Sequence, residues 1–336
     1  MPHRLTERAG RMLRMTGNGR NLYMKEYCFG IDVGGTTVKL GLFRTDGTLL
    51  KKWEIKTRTE EKGKYILDDI ADSVKGTMQA EKITADQVKG AGIGVPGPTR
   101  ADGYVEVCVN LGWDHINPAK ELSEKLGIPV KAGNDANVAA LGEMWKGGGE
   151  GYQDVVLLTL GTGVGGGVVL GGRMVAGNRG LGGELGHITV NMDETDACNC
   201  GNHGCLEQYA SATGVVRVTK KLLAQSNTPS VLRGNENLSA KAVFDAAKEG
   251  DALALEAVEV LGRYLGLIIS SVALTVDPDI FVIGGGVSRA GSILTDVITK
   301  YYHRFTALTQ YKVPVVLAKL GNDAGIYGSA RMALDD

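Results

Sequence analysis

Three thiols and one imidazole fall within nineteen residues: His187, Cys198, Cys200 and Cys205. These are ligands that zinc prefers, and four of them complete its tetrahedron, leaving no position for a reactive water. The spacing therefore predicts a structural Zn2+ site. Asn199, Gly201, Asn202 and Gly204 would shape a tight knuckle, with His203 available as a substitute ligand. The plainer alternative is a loop of reduced cysteines without metal. Glu184 precedes this cluster and Glu207 follows it. A metal that pins the loop would set Glu184, His187 and Glu207 into one wall, and carboxylate oxygens accept readily from the hydroxyls of a polyol. Asp135 follows one apolar run and opens a helical one, which makes it a candidate base toward an attacking hydroxyl. Asn134 and Asp135 are also favoured as plain helix caps.

Glycine is the second anomaly, at 49 of 336 residues, about twice the usual share of roughly 7%. Three glycine turns each follow an apolar, strand-like run. They are Asp32-Val33-Gly34-Gly35-Thr36-Thr37, the turn Gly161-Thr162-Gly163-Val164-Gly165-Gly166-Gly167, and Gly284-Gly285-Gly286. Glycine lets backbone N–H groups close on an anion, and threonine hydroxyls add donors, so these turns are expected to hold phosphate. The Asp32 carboxylate would repel bare phosphate and makes sense with Mg2+ between them. A plain hairpin is the alternative for any single turn. Gly161-x-Gly163-x-x-Gly166 matches the dinucleotide fingerprint by letter. However, the strand-like Val168–Leu170 follows it where a helix is required, so that reading fails.

The elements that must position these groups read as two similar halves. In each, a strand, a Gly/Thr turn, a strand, a second turn and a third strand follow one another: Tyr27–Ile31 onward in the first half, Asp154–Leu160 onward in the second. Helices are expected over 64–80, 118–126, from Asn134 to Met144, over 251–274 as a buried helix, 289–304 and 325–334. Further strands are expected over 89–95, 128–132, 280–283 and 313–318. The reading is two α/β domains with a cleft between them, 24–134 and 135–324, the last helix (325–336) returning to the first. Residues 1–23 hold Arg4, Arg8, Arg11, Arg14 and Arg20 without an apolar stretch, which is no signal peptide. They are expected to be a disordered or non-native extension, with the natural start at Met24. Lysine and arginine number 37 against 38 aspartates and glutamates, a balance that argues against a nucleic-acid partner. Five cysteines, an odd number with three clustered, suit a reducing cytoplasm better than a secreted disulfide framework. No apolar run reaches 18 residues without a polar interruption, so no membrane span is expected.

A strand–turn–strand phosphate loop repeated in two domains points to the actin and sugar-kinase arrangement, with ATP lying across the cleft. The chain resembles the ROK family (repressor, open reading frame, kinase) of bacterial sugar kinases and regulators. The resemblance rests on Asp32-Val-Gly-Gly-Thr36, Gly94-Val-Pro-Gly97, Asn134-Asp-Ala-Asn137, Gly161–Gly167, Glu184-Leu-Gly-His187, Cys198-Asn-Cys-Gly-Asn-His-Gly-Cys-Leu-Glu207 and Gly284–Gly286. It implies a two-domain, actin-like (ribonuclease H-like) ATPase fold and an ATP-dependent hexose kinase using Mg2+ and a structural Zn2+. It implies Asp135 as base for the sugar 6-hydroxyl, and Asn134, Asp135 itself, Glu184, His187, Glu207 and Gly97 as sugar contacts. Asp32, Gly34, Gly35, Thr36, Thr37 and Lys39, with Gly161, Thr162, Gly163, Gly165 and Gly166, would hold the phosphates. Gly284, Gly285 and Gly286 would line the adenosine site. Asn110-Leu-Gly-Trp113 and Cys205-Leu-Glu-Gln-Tyr209 look most like glucokinases, and the family implies a homodimer. Fructose, mannose or an N-acetylhexosamine as acceptor, and polyphosphate as donor, stay open. A sugar-responsive repressor of this family needs a winged helix-turn-helix domain before the first loop, and the 31 residues ahead of Asp32 are too few for it.

Overall fold

A computed structural model describes residues 25–335; the expected extension, 1–23, lies outside the described residues. β1 (Tyr27–Val33), β2 (Thr37–Arg44) and β3 (Leu49–Lys56) form an antiparallel meander. A short turn, α1 (Glu60–Gly63), and helix α2 (Ile66–Ala80) lead to β4 (Val88–Val95), which runs parallel to β1. A small hairpin, β5 (Val105–Cys108) with β6 (Trp113–Ile116), forms its own sheet. Helix α3 (Pro118–Leu126) then leads to β7 (Val130–Asn134), parallel to β4, and α4 (Asp135–Lys146) follows without a break. In the second half β8 (Val155–Leu160), β9 (Val164–Leu170) and β10 (Arg173–Met174) repeat the meander. Four helices come next: α5 (Glu207–Ala210), α6 (Ala212–Gln225), α7 (Ala240–Lys248) and α8 (Ala252–Val276). β11 (Ile280–Gly284) pairs parallel with β8; α9 (Ser292–Phe305) precedes β12 (Val315–Leu317), parallel to β11, and α10 (Ala324–Met332) closes the fold.

The two five-stranded sheets have the same order, β3-β2-β1-β4-β7 and β10-β9-β8-β11-β12. The weak repeat in the sequence is thus a repeat of topology. Each sheet has its own core. Phe29, Ile31, Leu40, Ile70, Val74 and Ile93 are buried in the first. Val156, Leu158, Leu265, Ile269, Phe281 and Ile283 are buried in the second. Helix α8 is apolar and long enough to cross a membrane by length and composition. Here it packs on α6, α7 and α9, with Leu261, Leu265, Ile268 and Ile269 fully covered, as a core helix does. Asp251 caps its start and a left-handed Asp277 ends it.

Two helices join the sheets. Helix α10 packs on β1 and β4, α4 packs on β8 and β9, and the two pack on each other. Glycines permit that approach. A Cβ on Gly328 would lie 1.7 Å from the Val138 carbonyl oxygen, and one on Gly142 would lie 2.2 Å from that of Ala324.

The expected elements are present within a few residues, with three differences. Strand β9 begins at Val164, so Gly165, Gly166 and Gly167 belong to a strand and the turn is only Gly161–Gly163. The reason is packing: a Cβ on Gly167 would lie 2.6 Å from the Ala136 carbonyl oxygen and 2.6 Å from the Ala140 Cβ, both on α4. Helix α9 starts at Ser292, after a 3-10 turn over Gly286–Ala290 and a left-handed Gly291. The β5–β6 hairpin and helices α5, α6 and α7 were not among the expected elements.

The helix crossing generates a test. Glycine to alanine within a helix normally stabilises by about 1 kcal/mol. At Gly328 the methyl group meets backbone that cannot yield, so Gly328→Ala is expected to destabilise by about 3 kcal/mol, as overpacking does. Urea denaturation of both proteins measures the sign.

Candidate active site

A cavity of about 1110 Å3 runs between the two sheets. Asp135 sits at the first residue of α4, where β7 ends, and lines this cleft. The helix begins here because the Asn134 side chain accepts from the N–H groups of Ala136 and Asn137, at 3.0 and 3.1 Å. Its amide donates to the Gly97 carbonyl at 3.1 Å. Asn134 therefore fastens the Pro96–Pro98 turn to the helix start, with one amide hydrogen left for a ligand. The half-buried Asp135 carboxyl is pushed up to about 6. Loss of water is the main cause; the Ala136 N–H, 2.8 Å from Oδ1, opposes it, and the neighbouring charges of Asp32 and Glu184 add to it. A carboxylate at this value is ionised at neutral pH and more basic than an ordinary one, which suits a general base.

One wall carries Glu184, His187, Cys200 and Glu207. Glu207 starts α5, and its Oε2 accepts from the Val164 N–H at 2.9 Å, which sets the carboxylate against the start of β9. His187, Cys198, Cys200 and Cys205 each offer a ligand atom, all within 4.8 Å of one another. The Cys200 and Cys205 sulfurs are 3.7 Å apart. A tetrahedron with metal–sulfur bonds of about 2.3 Å has an edge of about 3.8 Å. The buried His187 Nδ1 has no hydrogen-bond partner, and all five cysteines are unpaired. The donor set thus fits Zn2+. An ionic clasp holds the segment before the knuckle: the Glu194 carboxylate accepts from Tyr209 Oη at 2.6 Å and pairs with Arg217 at 2.5 Å. Burial would raise the Glu194 carboxyl, yet these partners bring it down to about 2.

Asp32, Lys39, Gly161, Thr162, Gly163, Gly165 and Gly166 also line the cleft, the glycine turn lying directly against Glu207. Burial raises the Asp32 carboxyl, with Lys39 opposing. Lys39 donates to the Asn322 carbonyl at 3.1 Å, which ties β2 to the turn before α10. Gly34, Gly35, Thr36 and Thr37 line neither this cavity nor its neighbour. Their turn is partly closed on itself, the Gly34 N–H bonding the Thr37 carbonyl at 3.0 Å and Thr57 donating to the Gly34 carbonyl at 2.6 Å. Gly284, Gly285 and Gly286 line a second cavity of about 590 Å3, which adjoins the first at Thr159, Gly285 and Asn322. The arrangement presents a base in one cleft with a wall of hydroxyl acceptors and a glycine turn, and that cleft adjoins a second cavity.

Residues 28–336 match the ROK family. The chain belongs to this family. It is 40% identical over 310 residues to a glucokinase of Halalkalibacterium halodurans, covering 89% of this chain and 92% of that one. A ROK family glucokinase from Streptomyces griseus, solved in complex with glucose and AMPPNP, is similar at a TM-score of 0.71 and 33% identity, covering 91% of this chain and 98% of that one. The ROK hexokinase from Thermus thermophilus gives 0.76 at 31% identity, covering 91% and 97%. The fold class expected from the sequence, α/β and actin-like, is the fold of this ROK chain.

Several cleft residues of this ROK protein were not assigned from the sequence. Asn110 lines the cleft but entered the sequence reading only as part of a motif. Gly321, Asn322, Ala324 and Gly325 line it too, at the start of α10. A signal was present, since Gly321-Asn322-Asp323-Ala324-Gly325 is a fourth glycine turn between a strand and a helix. Asn137 donates to the Gly182 carbonyl at 2.7 Å and so holds the loop that carries Glu184. Its place inside a helical run gave no sign of this.

The Asp135 environment has a stability consequence. The folded state holds this proton more tightly than the ordinary value of 3.8, so the group favours folding below that pH and loses that contribution as pH rises through about 6. Relative to Asp135→Asn, the wild type is expected to lose about 3 kcal/mol at most across this window, less where the open cleft admits water. Denaturation of both proteins at pH 4 and pH 8 measures the difference.

Proposed function

We propose that this ROK protein is a glucokinase, transferring the terminal phosphoryl group of ATP to the 6-hydroxyl of D-glucose. The observation that carries the reading is Asp135: a half-buried, unusually basic carboxylate that shares one cleft with the carboxylates Glu184 and Glu207 and a glycine turn. The similarity to a bacterial glucokinase at 40% identity, and to a glucokinase bound to glucose and AMPPNP, supports the choice of acceptor and donor.

On this reading Glu184 and Glu207 accept from sugar hydroxyls, and His187, holding zinc through one ring nitrogen, donates the N–H of the other to a hydroxyl oxygen, while Asn134 and Gly97 shape the floor beside Asp135. Asp135 takes the 6-hydroxyl proton as that oxygen bonds to the γ-phosphorus. The bond from phosphorus to the bridging oxygen breaks, leaving ADP, and Asp135 returns its proton to solvent. Asp32 would hold Mg2+, which when bound neutralises charge on the phosphates. The turn Gly161–Gly163 and Lys39 line the same region, the Gly161 N–H being held by the Gly163 carbonyl at 2.9 Å, and the second cavity at Gly284–Gly286 would take the adenosine. His187, Cys198, Cys200 and Cys205 would hold Zn2+, which fixes the sugar wall without touching the reacting atoms. The chain would work as two lobes, 24–134 with the C-terminal helix and 135–324. Its unpaired cysteines fit a reducing cytoplasm, and a homodimer is the family expectation.

A coupled assay over glucose, fructose, mannose and N-acetylhexosamines, each with ATP or polyphosphate, tests the assignment. Glucose with ATP is expected to give the highest kcat/KM; a tenfold advantage for any other pair overturns it. Asp135→Ala is expected to bind glucose normally and lose about a thousandfold in kcat. Substantial turnover by that variant would remove Asp135 as the base.

The zinc assignment is tested separately. Elemental analysis is expected to find one zinc per chain, lost in Cys205→Ser, with the KM for glucose rising and that for ATP little changed. Zinc-free protein with normal glucose turnover would refute the role.

A further inference from the structure

Glu143 is 1% exposed, eight residues after Asp135 on α4. At 1.5 Å per residue the two positions stand about 12 Å apart along the helix axis. Burying a carboxylate is unfavourable unless hydrogen bonds replace its water. Here three backbone N–H groups do so: Leu320 on Oε1 at 2.8 Å, and Lys319 and Gly148 on Oε2 at 3.0 and 2.7 Å. These are charge-assisted bonds, the stronger kind.

The two donors at 319 and 320 occupy a particular place. The last N–H that the second sheet satisfies is that of Ala318, bonded to the Ile283 carbonyl at 2.9 Å. The chain then leaves β12 as a turn, and Glu143 takes its next two N–H groups in place of a neighbouring strand. That turn continues into Gly321, Asn322, Asp323 and Ala324, which line the second cavity. Three of the four or so lone-pair sites of the carboxylate are taken by backbone donors, so its capacity goes mainly to the protein and not to a ligand. The sequence is fitted to this arrangement: a Cβ on Gly147 would lie 2.0 Å from Glu143 Oε2.

We infer that Glu143 is a positioning residue for the nucleotide. It fixes the 319–322 turn, the wall of the second cavity, to the helix whose first residue is the proposed base. Helix α4 then acts as a rigid spacer between the group that activates the acceptor and the wall that seats the donor. The inference rests on the reading of the second cavity as the adenosine site. Removing the carboxylate frees the turn while leaving the sugar wall, on the other side of Asp135, in place.

Calorimetric binding of ADP and of glucose, each measured separately, tests this on Glu143→Gln and Gly147→Ala. The first replaces one acceptor oxygen with an amide that faces N–H donors; the second pushes the carboxylate aside without altering it. Both are expected to weaken ADP at least tenfold, to change glucose affinity less than twofold, and to raise the KM for ATP far more than that for glucose. Equal losses for ADP and glucose, or no loss of ADP affinity, overturn the inference. If Glu143→Gln does not fold, Gly147→Ala alone decides between these outcomes. Failure of the wild type to bind ADP at all is a different result, which would reject the nucleotide reading itself.

Discussion

The loss of water around the Asp135 carboxylate is the interaction on which the rest of the site depends. In water this group would be a weak base. The half-buried position at the start of α4, with Asp32 and Glu184 nearby, makes its proton harder to remove. The Ala136 N–H keeps the shift moderate, so the ionised form persists at neutral pH. That balance requires the helix to begin at one residue only, and Asn134 enforces it by capping α4 while gripping the Gly97 carbonyl. A structural cap and a chemical group are therefore adjacent residues with different duties.

Helix α4 is also the mechanical centre of the molecule. It lies on β8 and β9, crosses α10, and α10 lies on β1 and β4. The contact is backbone against backbone at Gly142 and Gly328, which leaves little freedom for the axes to shift. Much of the glycine excess serves this close packing. Gly165 and Gly166 line the cleft and Gly167 meets α4, all from within a strand. The glycine count signals unusual backbone proximity, and a ligand is only one of the things that backbone can approach.

The thiol and imidazole cluster solves a different problem. Loop 184–207 carries three polar side chains of the cleft wall but contains little regular structure. The Glu194 clasp anchors it to α6 through Arg217 and Lys221, and the four ligand atoms converge beside it. Ion pairs hold the middle of the loop and the cysteine–histidine set draws its two ends together. The carboxylates of Glu184 and Glu207 are thus held by covalently short paths from two anchors.

What the residues determined alone is what depends on near neighbours. Apolar runs ended by glycine turns specified the strands. Pro118 and Gly127 bounded α3 to the residue, and four metal-type ligands within nineteen positions announced their own cluster. Because both halves repeat one order of strand and turn, the two-sheet class was legible as well, and the ROK motifs named the family. Tertiary structure alone decided which glycines face the cleft and which face a helix. It set Gly34–Thr37 apart from the cavity linings, and it joined Glu143 to a turn 176 positions further along the chain. The physical reason is that such contacts are created by strand order and helix crossing. A buried carboxylate in a helical run carries no local mark of the backbone donors that will surround it once the sheets have closed.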